Sequence, residues 1–275
     1  MSNLKSAEST PNSRAIVVFD IDGVVRDVGN SYRRAIADTV EYYTDGAYRP
    51  GLADIDQLKS EGVWNNDWEA SRELVYRHFE AQGQTREQVK LDYQALVDYF
   101  NCRYRGANPE NWTGYICNEP LLLEASYLEN LTAAGILWGF FSGATQDEAK
   151  YALEGRLGLQ SPVLVAMEDA PSKPDPTGLL ATVKLLEQRH QREIELPVIY
   201  AGDTVADLYT VRKARTVYPG RTWIGVGILP PHVQETPERS KTYEQTLKAA
   251  EARIVLNNIK QLSPEMIEKL LQDVS

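Results

Sequence analysis

AIVVFDIDGVV, residues Ala15–Val25, is the stretch from which the rest of the chain is read. Ile16, Val17, Val18 and Phe19 form a short apolar run rich in β-branched side chains, the pattern of a strand buried on both faces, as in a parallel sheet. Asp20 and Asp22 follow at once, with Gly23 to let the chain turn. Two carboxylates at the mouth of a buried strand are costly unless something balances them, and a hard divalent cation with oxygen ligands does so. A Ca2+-binding helix–loop–helix would need further oxygen ligands at close spacing and a Glu near the loop end. Val24, Val25 and Arg26 do not continue that pattern.

Composition narrows the function classes. The chain has 275 residues, 43% hydrophobic and 25% charged, which suits a soluble globular core with a smaller insert. Its 29 Lys and Arg against 39 Asp and Glu leave a net charge of −10. With no surplus of basic side chains to displace counterions, neither nucleic acid nor an anionic membrane is an expected partner. Cys102 and Cys117 form no CxxC pair and have no nearby His, which argues against zinc and leaves free thiols or one bridge between them. The first fourteen residues lack an apolar centre, so no signal peptide is expected, and no apolar run is long enough to cross a bilayer. These features give the expectation of a cytoplasmic protein.

Taken in order, Asn30 is the expected cap of a helix over about residues 31–43. The region from about 45 to 121 shows no convincing strand. Residues 67–81 read as a helix with Trp68, Ser71, Val75 and Phe79 on one side, and Thr85 with Gln88 forms a capping box for a second helix carrying Val89, Leu96, Val97 and Phe100. From Leu122 the rhythm changes to alternation. Strands are expected at 136–141, 163–166, 198–201, 222–226 and 254–256. Helices are expected at about 124–134, 145–157, 176–189, 205–214 and 240–250, with a last one opened by Ser263-Pro264. Strands alternating with helices imply an α/β fold, a Rossmann-like parallel sheet flanked by helices, whose sites form beyond the carboxyl ends of the strands.

At those ends stand four polar groups: Asp20 and Asp22; Ser142-Gly143; Ser172-Lys173-Pro174; and Gly202-Asp203-Thr204-Val205-Ala206-Asp207. Singly, each has a plainer reading as turn chemistry, a solvated lysine or a helix cap. Together they suit phosphoryl transfer through an aspartyl-phosphate. Asp20 would be the nucleophile, already ionised at neutral pH. Asp22 would protonate the departing oxygen and later deprotonate the attacking water. Mg2+ would be held by Asp20, the backbone carbonyl of Asp22 and Asp203, with Asp207 supporting directly or through water. Lys173 would supply positive charge beside the phosphoryl group, and Ser142 with the backbone N–H groups of Gly143 and Ala144 would bind phosphate oxygens.

DIDGV, FSGAT, SKPDP and GDTVAD, in this order, resemble the four signature motifs of the haloacid dehalogenase superfamily. The resemblance covers about residues 15–226. It implies that Asp20 is the nucleophile, Asp22 the acid/base, Ser142 and Lys173 the phosphate-binding pair, and Asp203 and Asp207 the metal-binding acids. It also implies a core of residues 15–28 and 122–275 with the first strand central, and a helical cap over 29–121, as in the branch that includes phosphoglycolate phosphatase and β-phosphoglucomutase. Residues 1–14 are expected to be a flexible N-terminus.

In the cap, the stretch from Lys59 to Trp68 carries a glycine, two Trp and two amides before a helix, which makes Lys59, Asn65, Asn66 and Trp68 candidate substrate selectors. The plainer reading has Asn66 or Asp67 capping that helix while the Trp rings pack in the cap. Arg72 and Lys59 are candidate contacts for a substrate anion. The leading expectation is a Mg2+-dependent phosphatase acting on a small phosphorylated metabolite. The alternatives are a phosphomutase of the β-phosphoglucomutase type and a non-catalytic binding protein on the same fold. A dehalogenase, which needs neither an acid at Asp22 nor metal-binding acids, is disfavoured.

Overall fold

All five residues of strand β1 (Ala15–Phe19) are buried, and the strand pairs on both sides. A computed structural model describes residues 13–64, 66–191 and 195–273. In it β1 lies parallel to β2 (Ile136–Phe141) on one edge and to β4 (Val198–Gly202) on the other. With β3 (Leu164–Val165), β5 (Trp223–Ile228) and β6 (Ile254–Leu256) the six strands run parallel in the order β3-β2-β1-β4-β5-β6. This is the expected α/β Rossmann-like sheet, with the first strand central.

The two-residue period of a strand sends alternate side chains of β1 to opposite faces. Val17 and Phe19 pack in a layer with Leu128 and Leu131 of α5 (Ala125–Ala133) and Ile267 and Leu270 of α10 (Pro264–Gln272). Ile16 and Val18 pack on the other side against Leu179 and Val183 of α7 (Thr177–Arg189) and Val211 and Ala214 of α8 (Val205–Val217). Each fully buried Val, Ile or Phe contributes about 1.5–3 kcal/mol, so a strand apolar on both faces is driven into the middle of the sheet.

Between β1 and α5 the described residues form four α-helices: α1 (Tyr32–Tyr43), α2 (Leu52–Lys59), α3 (Asp67–Ala81) and α4 (Tyr93–Tyr104). They share an apolar centre of their own that includes Ile36, Val40, Ile55, Val75, Phe100 and Ile116. The outgoing and returning chains lie side by side, with Asp27 N–H donating to Pro120 O (2.8 Å) and Leu122 N–H to Val25 O (2.8 Å). α2 has no counterpart in the periodicity reading. It starts where the Asp54 carboxylate accepts from Gly51 N–H at 2.7 Å.

Several boundaries differ from the sequence reading. Asn30 does not cap α1; the capping position falls to Ser31, whose hydroxyl donates instead to Val28 O. The Thr85/Gln88 box forms, but it closes only a single turn, Arg86–Gln88, because Val89 returns to extended backbone. Asp92 supplies the real cap of α4 by accepting from Ala95 N–H, and Val89 stays outside the helix. The helix after β2 is α6 (Gln146–Lys150), which widens into a π-helical turn over Tyr151–Arg156. α9 (Pro237–Ala249) begins three residues before the expected start, capped by Thr236. Cys102 and Cys117 are free thiols. Among the described residues no helix is long and apolar enough to cross a membrane.

Candidate active site

The carboxyl ends of β1, β2 and β4 bring three of the four polar groups to one cleft, and the loop after β3 delivers the fourth. Asp20 follows β1 directly, and its carboxylate accepts from Ile21 N–H at 2.8 Å. Lys173 reaches in to place Nζ 2.7 Å from Asp20 Oδ1 and 2.6 Å from Asp207 Oδ1. Its ammonium also stands 5.2 Å from the Phe141 ring and 5.4 Å from the Tyr200 ring, within cation–π range. Asp203 completes a buried cluster in which oxygens of Asp20, Asp203 and Asp207 lie within 4.8 Å of one another.

Two glycines make this crowding possible. Gly23 has φ +73°, a conformation side chains rarely adopt, and a Cβ there would lie 2.2 Å from Asp203 Oδ2. At Gly202, the end of β4, a Cβ would lie 2.3 Å from Asp207 Cβ. Only a bare backbone at these points lets the two carboxylates close on Asp20.

Asp207 is saturated. Oδ1 faces Lys173 and accepts from the Tyr200 hydroxyl at 2.9 Å, while Oδ2 accepts from Thr204 N–H (3.0 Å) and Thr204 Oγ1 (2.6 Å). Burial pushes its carboxyl up, but Lys173 and Thr204 outweigh that and hold it below the usual range. Tyr200 also donates to Phe141 O (3.2 Å), and burial beside Asp207 keeps its phenol protonated. Asp20 behaves in the opposite way. Burial, reinforced by repulsion from Asp207 and Asp22, lifts it to about 7 despite Lys173. Asp203, buried beside two other acids, is raised well above the ordinary value. Lys173 is raised, because attraction to Asp20 and Asp207 exceeds the cost of its burial. One lysine among three buried carboxylates leaves the cluster short of positive charge.

Ser142, Gly143 and Ala144 line the same cleft, and Ser142 Oγ accepts from Ala144 N–H at 3.1 Å. Asp22 lies at the mouth, its Oδ1 accepting from Arg26 Nε at 2.6 Å. Arg26 is fully buried and its Nη1 is 2.9 Å from Glu119 Oε2. Burial lifts Glu119 to about 7 against the pull of Arg26.

The helical block roofs a cavity of about 110 Å³. Lys59, Asn66 and Trp68 line it, together with Tyr32, Arg33, Phe100 and Tyr104. Asn66 caps α3, accepting from Trp68 N–H (3.0 Å) and Glu69 N–H (3.2 Å), so that part of the plainer reading is present as well. Lys59 Nζ is 2.6 Å from Asp67, and Trp68 Nε1 donates to Asn101 at 3.3 Å. Arg72 pairs with Glu69 and lies over the Tyr93 ring, away from the cavity lining. Asn65 lies outside the described residues.

Polar contacts also join the block to helices and loops around the sheet. Arg105 donates to Glu148 (2.8 Å) and Thr145 (2.9 Å). Asp56 of α2 takes Arg239 of α9 at 2.5 Å, and His232 Nε2 stands 3.3 Å from it. The chain order did not point to Tyr200, Arg33, Glu119 or His232. Each is a polar residue that no local pattern sets apart, and only its buried surroundings mark it.

Comparison with known proteins agrees with the geometry. A family model described as haloacid dehalogenase-like hydrolase matches residues 15–215. A curated relative from Phytophthora nicotianae, an imidazoleglycerol-phosphate dehydratase, is 30% identical over 211 residues, 74% of this chain. The match spans only 42% of that protein. Among solved structures, a phosphatase of Thermococcus thioreducens has a TM-score of 0.59 at 23% identity, covering 86% of this chain and 99% of that one. A phosphonoacetaldehyde hydrolase-like protein of Oleispira antarctica gives 0.66 at 16% identity, covering 96% and 93%. A β-phosphoglucomutase of Clostridium difficile gives 0.60 at 16%, covering 95% and 98%.

Proposed function

The chain belongs to the haloacid dehalogenase-like hydrolases, and from that premise we propose that it is a Mg2+-dependent phosphatase that hydrolyses a small phosphomonoester through an aspartyl-phosphate. The observation that carries the reading is Lys173, held between Asp20 and Asp207 beside Asp203. The donor set fits a hard divalent cation: oxygens of three buried carboxylates lie within 4.8 Å, and burial together with mutual repulsion pushes Asp20 and Asp203 up. Asp20, the Asp22 carbonyl and Asp203 would hold Mg2+, and Asp207, whose oxygens are occupied, would support from behind while seating Lys173. The cation, when bound, would neutralise charge on the phosphoryl oxygens and keep Asp20 ionised.

An Asp20 oxygen attacks phosphorus, the bond from phosphorus to the alcohol oxygen breaks, and Asp22 delivers a proton to that oxygen. Water then attacks phosphorus, giving its proton to Asp22, and the acyl-phosphate bond breaks to release phosphate and restore Asp20. Lys173 balances charge on the nucleophile and phosphoryl group, and Ser142 with the Gly143 and Ala144 amides binds its oxygens. Residues 29–121 act as a cap that excludes water, with Lys59, Asn66 and Trp68 facing the organic part of the substrate.

The test is phosphate release from a panel of sugar phosphates, phosphoglycolate, nucleotides and imidazole-bearing phosphomonoesters, the last included because of the relative's name. Release should require Mg2+, stop with EDTA and be lost in Asp20→Asn. Robust turnover by Asp20→Asn refutes the mechanism. Isomerisation of a sugar phosphate without release would make the protein a mutase instead.

A further inference from the structure

Among the described residues Arg26 is the largest fully buried side chain, with 1% of its side chain exposed, and it sits four residues from the candidate proton donor. A guanidinium is almost never so deep unless it is paired, and its planar fork suits two carboxylates at once. Its Nε donates to Asp22 Oδ1 at 2.6 Å and its Nη1 faces Glu119 Oε2 at 2.9 Å. Glu119 Oε1 in turn accepts from the Tyr104 hydroxyl at 3.1 Å, and the Glu119 carbonyl accepts from Arg156. Arg26 therefore spans the two chain crossings between sheet and helical block. The backbone is fixed at the same point: Gly23 N–H donates to Arg26 O at 2.9 Å, and Arg26 bridges Leu121. Asp22 and Tyr104 both line the cavity, so the chain of contacts starts and ends on its wall.

We propose that Arg26 is the positioning residue for Asp22: it holds one carboxylate oxygen from behind so that the other faces the departing oxygen of the substrate. Through Glu119 and Tyr104 it also ties that orientation to the seating of the helical block. The assignment rests on the phosphatase reading of Asp22 given above.

The test exploits the leaving group. An alkoxide needs a proton in order to depart, whereas 4-nitrophenoxide departs without one. Single-turnover release of the alcohol is measured, with enzyme in excess over substrate and Mg2+ present, from an alkyl phosphate that the wild type hydrolyses and from 4-nitrophenyl phosphate. General acid catalysis is worth about a hundred- to ten-thousand-fold. Loss of positioning in Arg26→Met should slow the alkyl ester by about ten- to a hundred-fold, change the enzyme concentration for half-maximal rate by less than about three-fold, and leave the aryl ester nearly unaffected. Arg26→Lys, a cation without the planar fork, should fall between. Asp22→Asn should show the same selectivity more strongly.

Equal slowing of both esters in Arg26→Met means a strut and overturns the proposal, as does no slowing of either. Should Arg26→Met fail to fold, Glu119→Gln decides, since a lower alkyl-to-aryl rate ratio supports the proposal and an unchanged ratio overturns it. Selectivity in Asp22→Asn but in no Arg26 variant refutes positioning and leaves the phosphatase reading intact. No selectivity in Asp22→Asn removes the proton-donor role itself, and both readings fall.

Discussion

Removing the proposed nucleophile should make the metal-free protein more stable. Asp20 is buried among acids, and its carboxyl rises from an ordinary 3.8 to about 7, with burial the largest cause, then repulsion from Asp207 and Asp22. A raised folded-state value means that the folded chain binds this proton more tightly than the unfolded chain. Stability is therefore highest below 3.8 and is lost as pH climbs through 7. The difference is about three decades in proton affinity at about 1.4 kcal/mol each, so ionised Asp20 costs about 4 kcal/mol at pH 8. Asparagine has the shape of the protonated acid and cannot ionise. Lys173 loses one partner but keeps Asp207, and Asp203 is relieved of a neighbour. Asp20→Asn should gain about 2–4 kcal/mol at pH 8 in EDTA, a thermal midpoint about 5–15 °C higher. About half of that gain should vanish at pH 5.5. Added Mg2+ should close most of that gap, because a ligand at a hundred times its Kd stabilises the wild type by about 2.7 kcal/mol. The assay is thermal unfolding by circular dichroism at the two pH values, with EDTA and with Mg2+. A variant less stable than wild type in EDTA at pH 8, or a gain independent of pH, would falsify the account of the acidic cluster.

The remaining predictions probe the supports of the site. Gly202→Ala forces a Cβ to within 2.3 Å of Asp207 Cβ, so the start of α8 must move off β4. Stability should fall by about 1–3 kcal/mol and phosphate release by more than about ten-fold, read as Tm and kcat; an unchanged kcat would show that Asp207 need not seat Lys173. Burial, with help from Arg33 and Arg239, lowers the His232 value below 6.5, and Asp56 only partly opposes this. The unfolded chain therefore takes up the proton first, and stability drops as pH falls below 6.5. His232→Gln should flatten the decline of Tm between pH 7 and 5 by up to about 1.4 kcal/mol per pH unit; parallel curves for variant and wild type would refute it. Trp68→Ala, which strips an aromatic wall from the cavity, should raise KM more than it lowers kcat if the cap selects the substrate. A change confined to kcat would move Trp68 out of that role.

The sheet and the order of the site were legible because the signals are local. A run such as Ile16–Phe19 has no soluble conformation, and its β-branching and shortness favour a strand over a helix. Once strands alternate with helices, topology sends the residues after β1, β2 and β4 to one edge, and Asp20, Ser142 and Asp203 meet there without any further information. Helix starts were less legible. Thr85-Gln88 and Asp92 are both good caps seven residues apart or fewer, and the choice between them fell to packing. What only the tertiary structure decided is which charges are paired. Arg239 and Asp56 are 183 residues apart, and Arg26 reads in sequence as a polar residue after an apolar run until Glu119 is folded against it. The cost of a buried charge depends on the few groups within hydrogen-bond reach, and these come from distant parts of the chain. Sequence alone therefore determined where Asp20 and Asp22 emerge. Folding alone determined that Lys173 is locked to Asp20 and Asp207, and that Arg26 holds Asp22.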